Sequence, residues 1–133
     1  LHLSIRRQRQ MCIRDRAISP QSAKAKGRRF QQWVRDRLYQ TFPVLEDGDI
    51  RSTSMGASGE DLLFSPAARR LFSYSVECKN NKANAIYKVM DQAVSNCPKG
   101  ITPLGMVKAD KRKPLAVVDA DHFFELVKKL NEK

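Results

Sequence analysis

The stretch Gly56–Lys79, GASGEDLLFSPAARRLFSYSVECK, is the part of the chain that decides the fold. It contains two runs rich in apolar residues, Leu62–Phe64 and Leu71–Val76. Aromatic and branched residues of these kinds favour β-strands. The intervening SPAARR has the proline and polar content of a connecting loop. The two runs are therefore predicted to pair as a β-hairpin.

Charged residues lie at the outer ends of this predicted hairpin. Asp61 precedes the first strand, and Glu77, Cys78 and Lys79 follow the second apolar run. Because successive side chains of a strand alternate between faces, Glu77 and Lys79 are predicted on one face and Cys78 on the other. Pairing of the strands would bring the Asp61 carboxylate near that of Glu77. Two carboxylates and an amine placed together can hold a hard divalent cation and orient a water molecule.

The rest of the chain alternates between helical and extended patterns. Phe30, Val34 and Leu38 recur at the spacing of one helix face, and a second helical pattern covers Ala83–Cys97, with a predicted apolar stripe. Short strands are predicted over the segments Ile50–Ser54, Leu104–Val107 and Leu115–Val118. Asp119 is predicted to cap a last helix, whose buried side would comprise Phe123, Phe124, Val127 and Leu130. This order predicts an α/β sandwich with a mixed central β-sheet flanked by helices.

Several motifs in this order resemble the PD-(D/E)xK nuclease superfamily, and most closely its archaeal and phage Holliday-junction-resolvase-like branch. The resemblance covers Lys24 to Asp119 and includes Lys26-Gly27 at the first helix, the Gly/Ser-rich loop before Asp61, the Glu-x-Lys triplet at Glu77, and Gln92 on the next helix. It implies a restriction-endonuclease-like sandwich. The implied activity is Mg²⁺-dependent hydrolysis of DNA phosphodiesters, with Mn²⁺ as an alternative metal and branched DNA or Holliday junctions as candidate substrates.

The resemblance also assigns roles to individual residues. The implied catalytic residues are Asp61, Glu77, Lys79 and Gln92. The implied metal ligands are Asp61, Glu77 and the backbone carbonyl of Cys78. Glu60 competes with Asp61 for the metal role, and Asp61 is preferred because the family motif places its acid at the start of the apolar run.

Gln31 departs from the family pattern, in which the first helix carries a metal-site glutamate at this position. A neutral amide ligates a cation less strongly than a carboxylate does. Gln31 would therefore have a weaker, water-mediated role, leave a site of two acids, or be a solvated helix residue. This departure keeps open an alternative function, a catalytically weak or inactive nucleic-acid-binding module on the same fold.

Composition predicts a polyanionic partner. The formal net charge is +11 and the pI is about 10. Clustered Lys and Arg gain free energy from counterion release on phosphate backbones, so DNA is the expected partner. The candidate nucleic-acid-binding residues are Lys26, Arg28, Arg29, Ser52, Ser54, Ser58, Lys88, Lys111 and Arg112. For the Gly/Ser-rich loop and the basic loop Lys108–Pro114, a plain solvated connector is the competing interpretation.

Residues 1–16 are treated apart from the fold, because MCIRDR at Met11–Arg16 resembles translated sequencing-adapter DNA. Residues 17–133 are expected to form one nuclease-like domain. The sequence lacks a long apolar run, so no membrane partner is expected. Three widely spaced cysteines fit neither a disulfide nor a zinc framework, which favours the reducing cytoplasm of a bacterial or phage-infected cell. A homodimer that cuts opposite strands is a further expectation.

Overall fold

The computed structural model describes residues 20–53, 59–80 and 85–132. In chain order the helices are α1 (Pro20–Thr41), α2 (Pro66–Leu71), α3 (Ile86–Ser95) and α4 (Ala120–Asn131). The strands are β1 (Ile50–Ser52), β2 (Leu62–Phe64), β3 (Tyr74–Asn80), β4 (Thr102–Lys108) and β5 (Leu115–Val117). Within these ranges, no helix has the length and apolar content needed to cross a lipid bilayer.

Helix α1 supplies one wall of the core, as its apolar spacing predicts. Phe30, Val34 and Leu38 are buried, and they belong to the same apolar cluster as Val76 and Leu104 of the sheet. Residues spaced four apart lie one above another on a helix, so a single stripe faces the sheet while Arg and Lys on the other faces reach water.

The strands form a mixed α/β arrangement, which confirms the general class. Strands β1 and β2 pair antiparallel, β3 and β4 pair parallel, and β5 adds to β4 antiparallel. The pairings divide into a two-stranded and a three-stranded sheet, whereas one central sheet was predicted. The predicted hairpin was also wrong, because β2 pairs with β1 and β3 pairs with β4. The two sheets touch where the amide N of Asp61 donates to the carbonyl of Val76, at 3.2 Å.

Helices α1 and α3 cover opposite faces of β3 and β4. Val76 and Cys78 lie in the cluster that α1 covers, whereas an added Cβ on Gly105 would lie only 3.2 Å from Met90 and 3.3 Å from Val89 of α3. Helix α3 thus packs against the glycine backbone. Its buried residues are Val89 and Ala93, so the predicted stripe of Ile86, Met90, Ala93, Val94 and Cys97 was only partly right, and Val94 is 58% exposed.

The segment SPAARR was predicted to be a loop, and this prediction was wrong. It contains helix α2, which is capped by Ser65, whose hydroxyl accepts a hydrogen bond from the amide of Ala68. Pro66 occupies the first turn, where its missing N–H costs nothing. Leu71 therefore ends a helix, and the following strand begins only at Tyr74.

The last helix forms where predicted, but the prediction of its buried side was wrong. Asp119 caps α4 by accepting a hydrogen bond from the amide of His122, at 2.9 Å. No residue of α4 is buried, and its large apolar side chains, including Phe124 at 66% and Leu130 at 70%, are exposed. Amphipathic spacing marks a face that can pack, whereas the partner for that face depends on tertiary structure.

Candidate active site

Asp61 is held against β3 by both its backbone and its side chain. Its amide donates to the carbonyl of Val76, and its Oδ2 accepts a hydrogen bond from the amide of Cys78, at 2.7 Å. The Asp61 carbonyl also accepts a hydrogen bond from the amide of Thr53, just beyond the end of β1. The aspartate therefore lies where the two sheets meet.

Glu77 and Asp61 form a directly interacting carboxyl pair. Glu77 is 3% exposed, and the two carboxyl groups lie close enough to shift each other's pKa. Burial, together with the negative charge of Asp61, raises the pKa of Glu77 to about 7. Burial also raises the pKa of Asp61, against the opposing effect of the hydrogen bond from Cys78. Two acids that share a desolvated site cannot both ionise cheaply without a cation between or beside them.

Lys79 follows on the same face of β3 as Glu77, two residues along the strand. Its positive charge lowers the pKa of both Asp61 and Glu77, although burial has the larger effect on each. The structure thus brings together the three residues that the sequence placed in one site. Their catalytic roles stay predictions.

The donor set fits a hard cation only in part. In the described ranges, no three His, Cys, Asp or Glu side chains cluster closely enough to hold a metal ion. The available side-chain donors are the carboxylates of Asp61 and Glu77. Because a residue's N–H and C=O point to the same side of a strand, the Cys78 carbonyl is directed toward Asp61, as its amide is. A cation held here would complete its coordination with water, as Mg²⁺ usually does.

The side-chain amide that reaches this site from the α3 region belongs to Asn96, whereas Gln92 was predicted. The Nδ2 atom of Asn96 donates to Oε1 of Glu77 at 3.4 Å, whereas Gln92 is exposed on α3. Asn96 lies one turn beyond Gln92, at the helix C-cap. The rotation of α3 about its own axis, which is set by its packing over Gly105, decides which amide faces Glu77. No local sequence signal distinguishes the two amides.

Gln31 is buried, which excludes the interpretation as a solvated helix residue. It is 3% exposed, and its Oε1 accepts a hydrogen bond from the Ser52 hydroxyl at 2.7 Å. Ser52 precedes Thr53, which hydrogen bonds to Asp61. Gln31 is thus connected to the site through the end of β1.

Glu60 has a structural partner and lies apart from the carboxyl pair. Both of its carboxylate oxygens accept hydrogen bonds from Nη2 of Arg69, at 2.9 and 3.0 Å. Arg69 also donates to the carbonyl of Tyr74 and lies over the ring of Phe64. Glu60 therefore has a structural role as the partner of Arg69, and Asp61 is the acid of the two that lies at the site.

The predicted nucleic-acid-binding residues lie in several places. Arg28 and Arg29 are exposed on α1, Lys88 is exposed on α3, and Lys111 and Arg112 are exposed in the β4–β5 turn. Lys26 forms an ion pair with Asp110 of that turn, and the Ser52 hydroxyl is bonded to Gln31. Ser54 and Ser58 lie outside the described residues. Arg51, which the sequence interpretation missed, lines a cavity of about 680 Å³ with Arg28, Ser52 and Thr53.

The raised pKa of Glu77 predicts a pH-dependent stability in the absence of metal. The folded chain keeps the Glu77 proton up to about pH 7, whereas the unfolded chain releases it near 4.5. Stability from this group is therefore fully present below pH 4.5 and is lost as the pH rises to about 7. We expect the melting temperature in chelator to fall more steeply across this window for the wild type than for Glu77→Gln. Parallel curves from the two proteins would contradict the assignment of this proton.

A scan against protein-family models, a search of curated proteins and a search of solved structures each returned no significant match to this chain.

Proposed function

We propose that the protein is a metal-dependent DNA endonuclease that hydrolyses phosphodiester bonds. The observation that carries this proposal is the buried Asp61–Glu77 carboxyl pair with Lys79 on the same strand face. Burying two acids together destabilises a fold, so a pair that is kept despite this cost suggests a function, and strongly shifted pKa values mark candidate functional sites.

The chemistry follows from the donor types. Asp61 and Glu77 would hold Mg²⁺, with Mn²⁺ as the alternative, and the Cys78 carbonyl would add a neutral oxygen. A bound divalent cation polarises a phosphoryl oxygen and lowers the pKa of a coordinated water. Lys79 would orient the attacking water and offset the negative charge that develops on the phosphate. Asn96 would keep the Glu77 carboxylate oriented by donating to its Oε1.

The order of elements supports the finer fold assignment, a restriction-endonuclease-like sandwich. A helix precedes β1, β2 and β3, and α3 then crosses to β4, which lies parallel to β3. The acids lie at the start of β2 and within β3, as the family resemblance implies. The hydrogen bond from the Asp61 amide to the Val76 carbonyl joins the two small sheets at the edges of β2 and β3. These are the edges that would pair in a continuous central sheet.

Exposed cations supply the DNA-binding part of the proposal. Arg28 and Arg29 on α1 and Lys111 and Arg112 in the β4–β5 turn would contact phosphates and position the duplex without reading its sequence. Branched DNA and a homodimer stay predictions. The exposed apolar face of α4 is the surface on which a second copy would pack, because its acidic start at Asp121 and basic end at Lys128 complement each other in an antiparallel pair.

The alternative is a nucleic-acid-binding module that has lost most catalysis. Gln31 favours it, because this buried amide stands where the family carries a third acidic ligand. Fewer carboxylates would weaken cation affinity and hence the hydrolytic step. DNA binding by the exposed cations would be unaffected.

Cleavage of labelled four-way junction, compared with linear duplex of the same arm sequence, separates the two functions. We expect nicking that requires Mg²⁺ or Mn²⁺ and stops in chelator, with the junction cut faster than the duplex. Binding of both substrates with no metal-dependent product would favour the binding module instead.

A further inference from the structure

A cavity of about 420 Å³ lies between α1 and the carboxyl ends of β3 and β4. Its lining includes Trp33 and Phe30 of α1 and Asn80 of β3, and we name it the Trp33 pocket. Asn80 directly follows Lys79 and is paired with Lys108 in the strand register. Because side chains alternate along β3, Asn80 points to the α1 side of the sheet, opposite the face that carries Glu77 and Lys79. The pocket therefore opens at the carboxyl end of β3, on the other face of the sheet from the proposed active site.

Cations surround this pocket. Lys26, Arg29 and Lys108 line it, and Asp110 is the carboxylate that pairs with Lys26. Positive charge is thus in excess around an opening large enough for one nucleotide. An excess of Lys and Arg around a pocket attracts phosphate and opposes an apolar peptide segment, whose binding would desolvate these charges.

One wall is an exposed aromatic surface. Trp33 stacks on Phe30 with ring centroids 6.1 Å apart and an interplanar angle of 22°, yet 43% of the residue stays exposed. A large ring left exposed among cations is the arrangement on which unpaired bases stack in single-strand-binding proteins. The base of a duplex already has neighbours on both faces and cannot use such a platform.

Asn80 adds an unsatisfied polar atom to the strand side of the pocket. Among the described residues, its Oδ1 is the buried side-chain oxygen for which no hydrogen-bond partner is present. An unsatisfied buried acceptor is unfavourable, and native structures rarely keep one without a reason. Rotation of this amide toward the opening would present it to the edge of a bound base.

We propose that the Trp33 pocket binds one unpaired nucleotide of DNA. Its base would stack on Trp33, and its phosphate would be bound by Lys26 and Arg29. The proposal depends on the proposed nuclease function only in its consequence, which is that the DNA substrate carries a single-stranded segment.

Fluorescence of the full-length chain tests this binding without any cleavage. Trp33 is the one tryptophan of the sequence, so its emission reports on the pocket directly. In chelator, we expect a single-stranded oligodeoxynucleotide to quench this emission in a saturable way. Duplex of the same sequence should quench it much less, because its bases are already stacked.

Matched variants locate the interaction. With a labelled single-stranded oligonucleotide, Trp33→Ala should weaken affinity by about 5- to 150-fold, the range of one base–aromatic stack. Trp33→Phe should restore most of that affinity because it keeps a ring. Tyr87→Ala, which removes an aromatic that is 87% exposed on α3, should leave affinity unchanged. Arg29→Ala should weaken binding more than Arg37→Ala on the same helix.

The outcomes separate this proposal from the nuclease assignment. If the Trp33→Ala variant binds single strands as tightly as the wild type, or no more weakly than the Tyr87→Ala variant does, the proposed nucleotide-binding role of the pocket is refuted. This holds whether or not the chain cleaves DNA. If binding depends on Trp33 but the chain shows no metal-dependent cleavage, the nucleotide-binding role of the pocket is supported and the nuclease assignment is refuted. Circular dichroism of each variant confirms that loss of affinity is not loss of fold.

Discussion

Asp61→Asn is expected to reduce Mg²⁺-dependent DNA cleavage by on the order of 10³-fold, because metal-ion stabilisation of a transition state contributes several kcal/mol. The substitution removes the charge that a cation needs. It keeps an oxygen that can accept the hydrogen bond from the amide of Cys78. Asp61→Ala should lose at least as much activity, and Lys79→Ala should also lose cleavage, since no amine would then orient the water.

The matched control for this prediction is the neighbouring acid. Glu60→Gln removes a carboxylate one position along the chain, where it bonds to Arg69 and not to Glu77. We expect this variant to cleave DNA at close to the wild-type rate. DNA affinity, measured in chelator, should stay within a few-fold of the wild type for every variant, since the exposed cations of α1 and the β4–β5 turn are unchanged. Equal cleavage by Asp61→Asn and the wild type would refute the nuclease assignment.

Leu62→Ala is expected to destabilise the fold by about 2–5 kcal/mol. Leu62 is 0% exposed and belongs to the main core cluster, so truncation leaves a cavity as well as losing apolar burial. Because Asp61 precedes it directly, this side chain also anchors the strand that carries the acid. The free energy of unfolding, measured by denaturant titration in chelator, tests the prediction.

The adjacent leucine provides the control for the core substitution. Leu63 points to the other side of β2 and is 44% exposed, so Leu63→Ala should change stability by less than about 1 kcal/mol. The melting temperature of Leu62→Ala should lie roughly 10 °C below that of Leu63→Ala. Similar losses in the two variants would show that β2 does not anchor the core as described.

Several parts of the fold could be predicted from local sequence because their causes are local. The four-residue spacing of Phe30, Val34 and Leu38 is a property of α1 itself, and the cap at Asp119 involves an amide only three residues away. Helix α2 also had a local signal, since Ser65 and Pro66 together form a typical helix start. That signal was outweighed by the general association of proline with loops.

Other features depend on residues that are far apart in the sequence. The hydrogen bond of Gln31 joins it to Ser52, 21 positions later, and decides that a polar helix residue is buried. The contact of Asn96 with Glu77 depends on the rotation of α3, which packing over Gly105 sets. The amphipathic pattern of α4 was clear, yet none of its residues is buried.

The sequence by itself determined the periodic elements, the strand face shared by Glu77 and Lys79, and the positive charge. Tertiary structure decided which of two neighbouring acids meets Glu77, which amide supports it, and which apolar face stays exposed. The physical reason is that side-chain periodicity depends only on backbone geometry within one element. Burial and pairing depend on which elements pack together, and that choice is made by the whole chain at once.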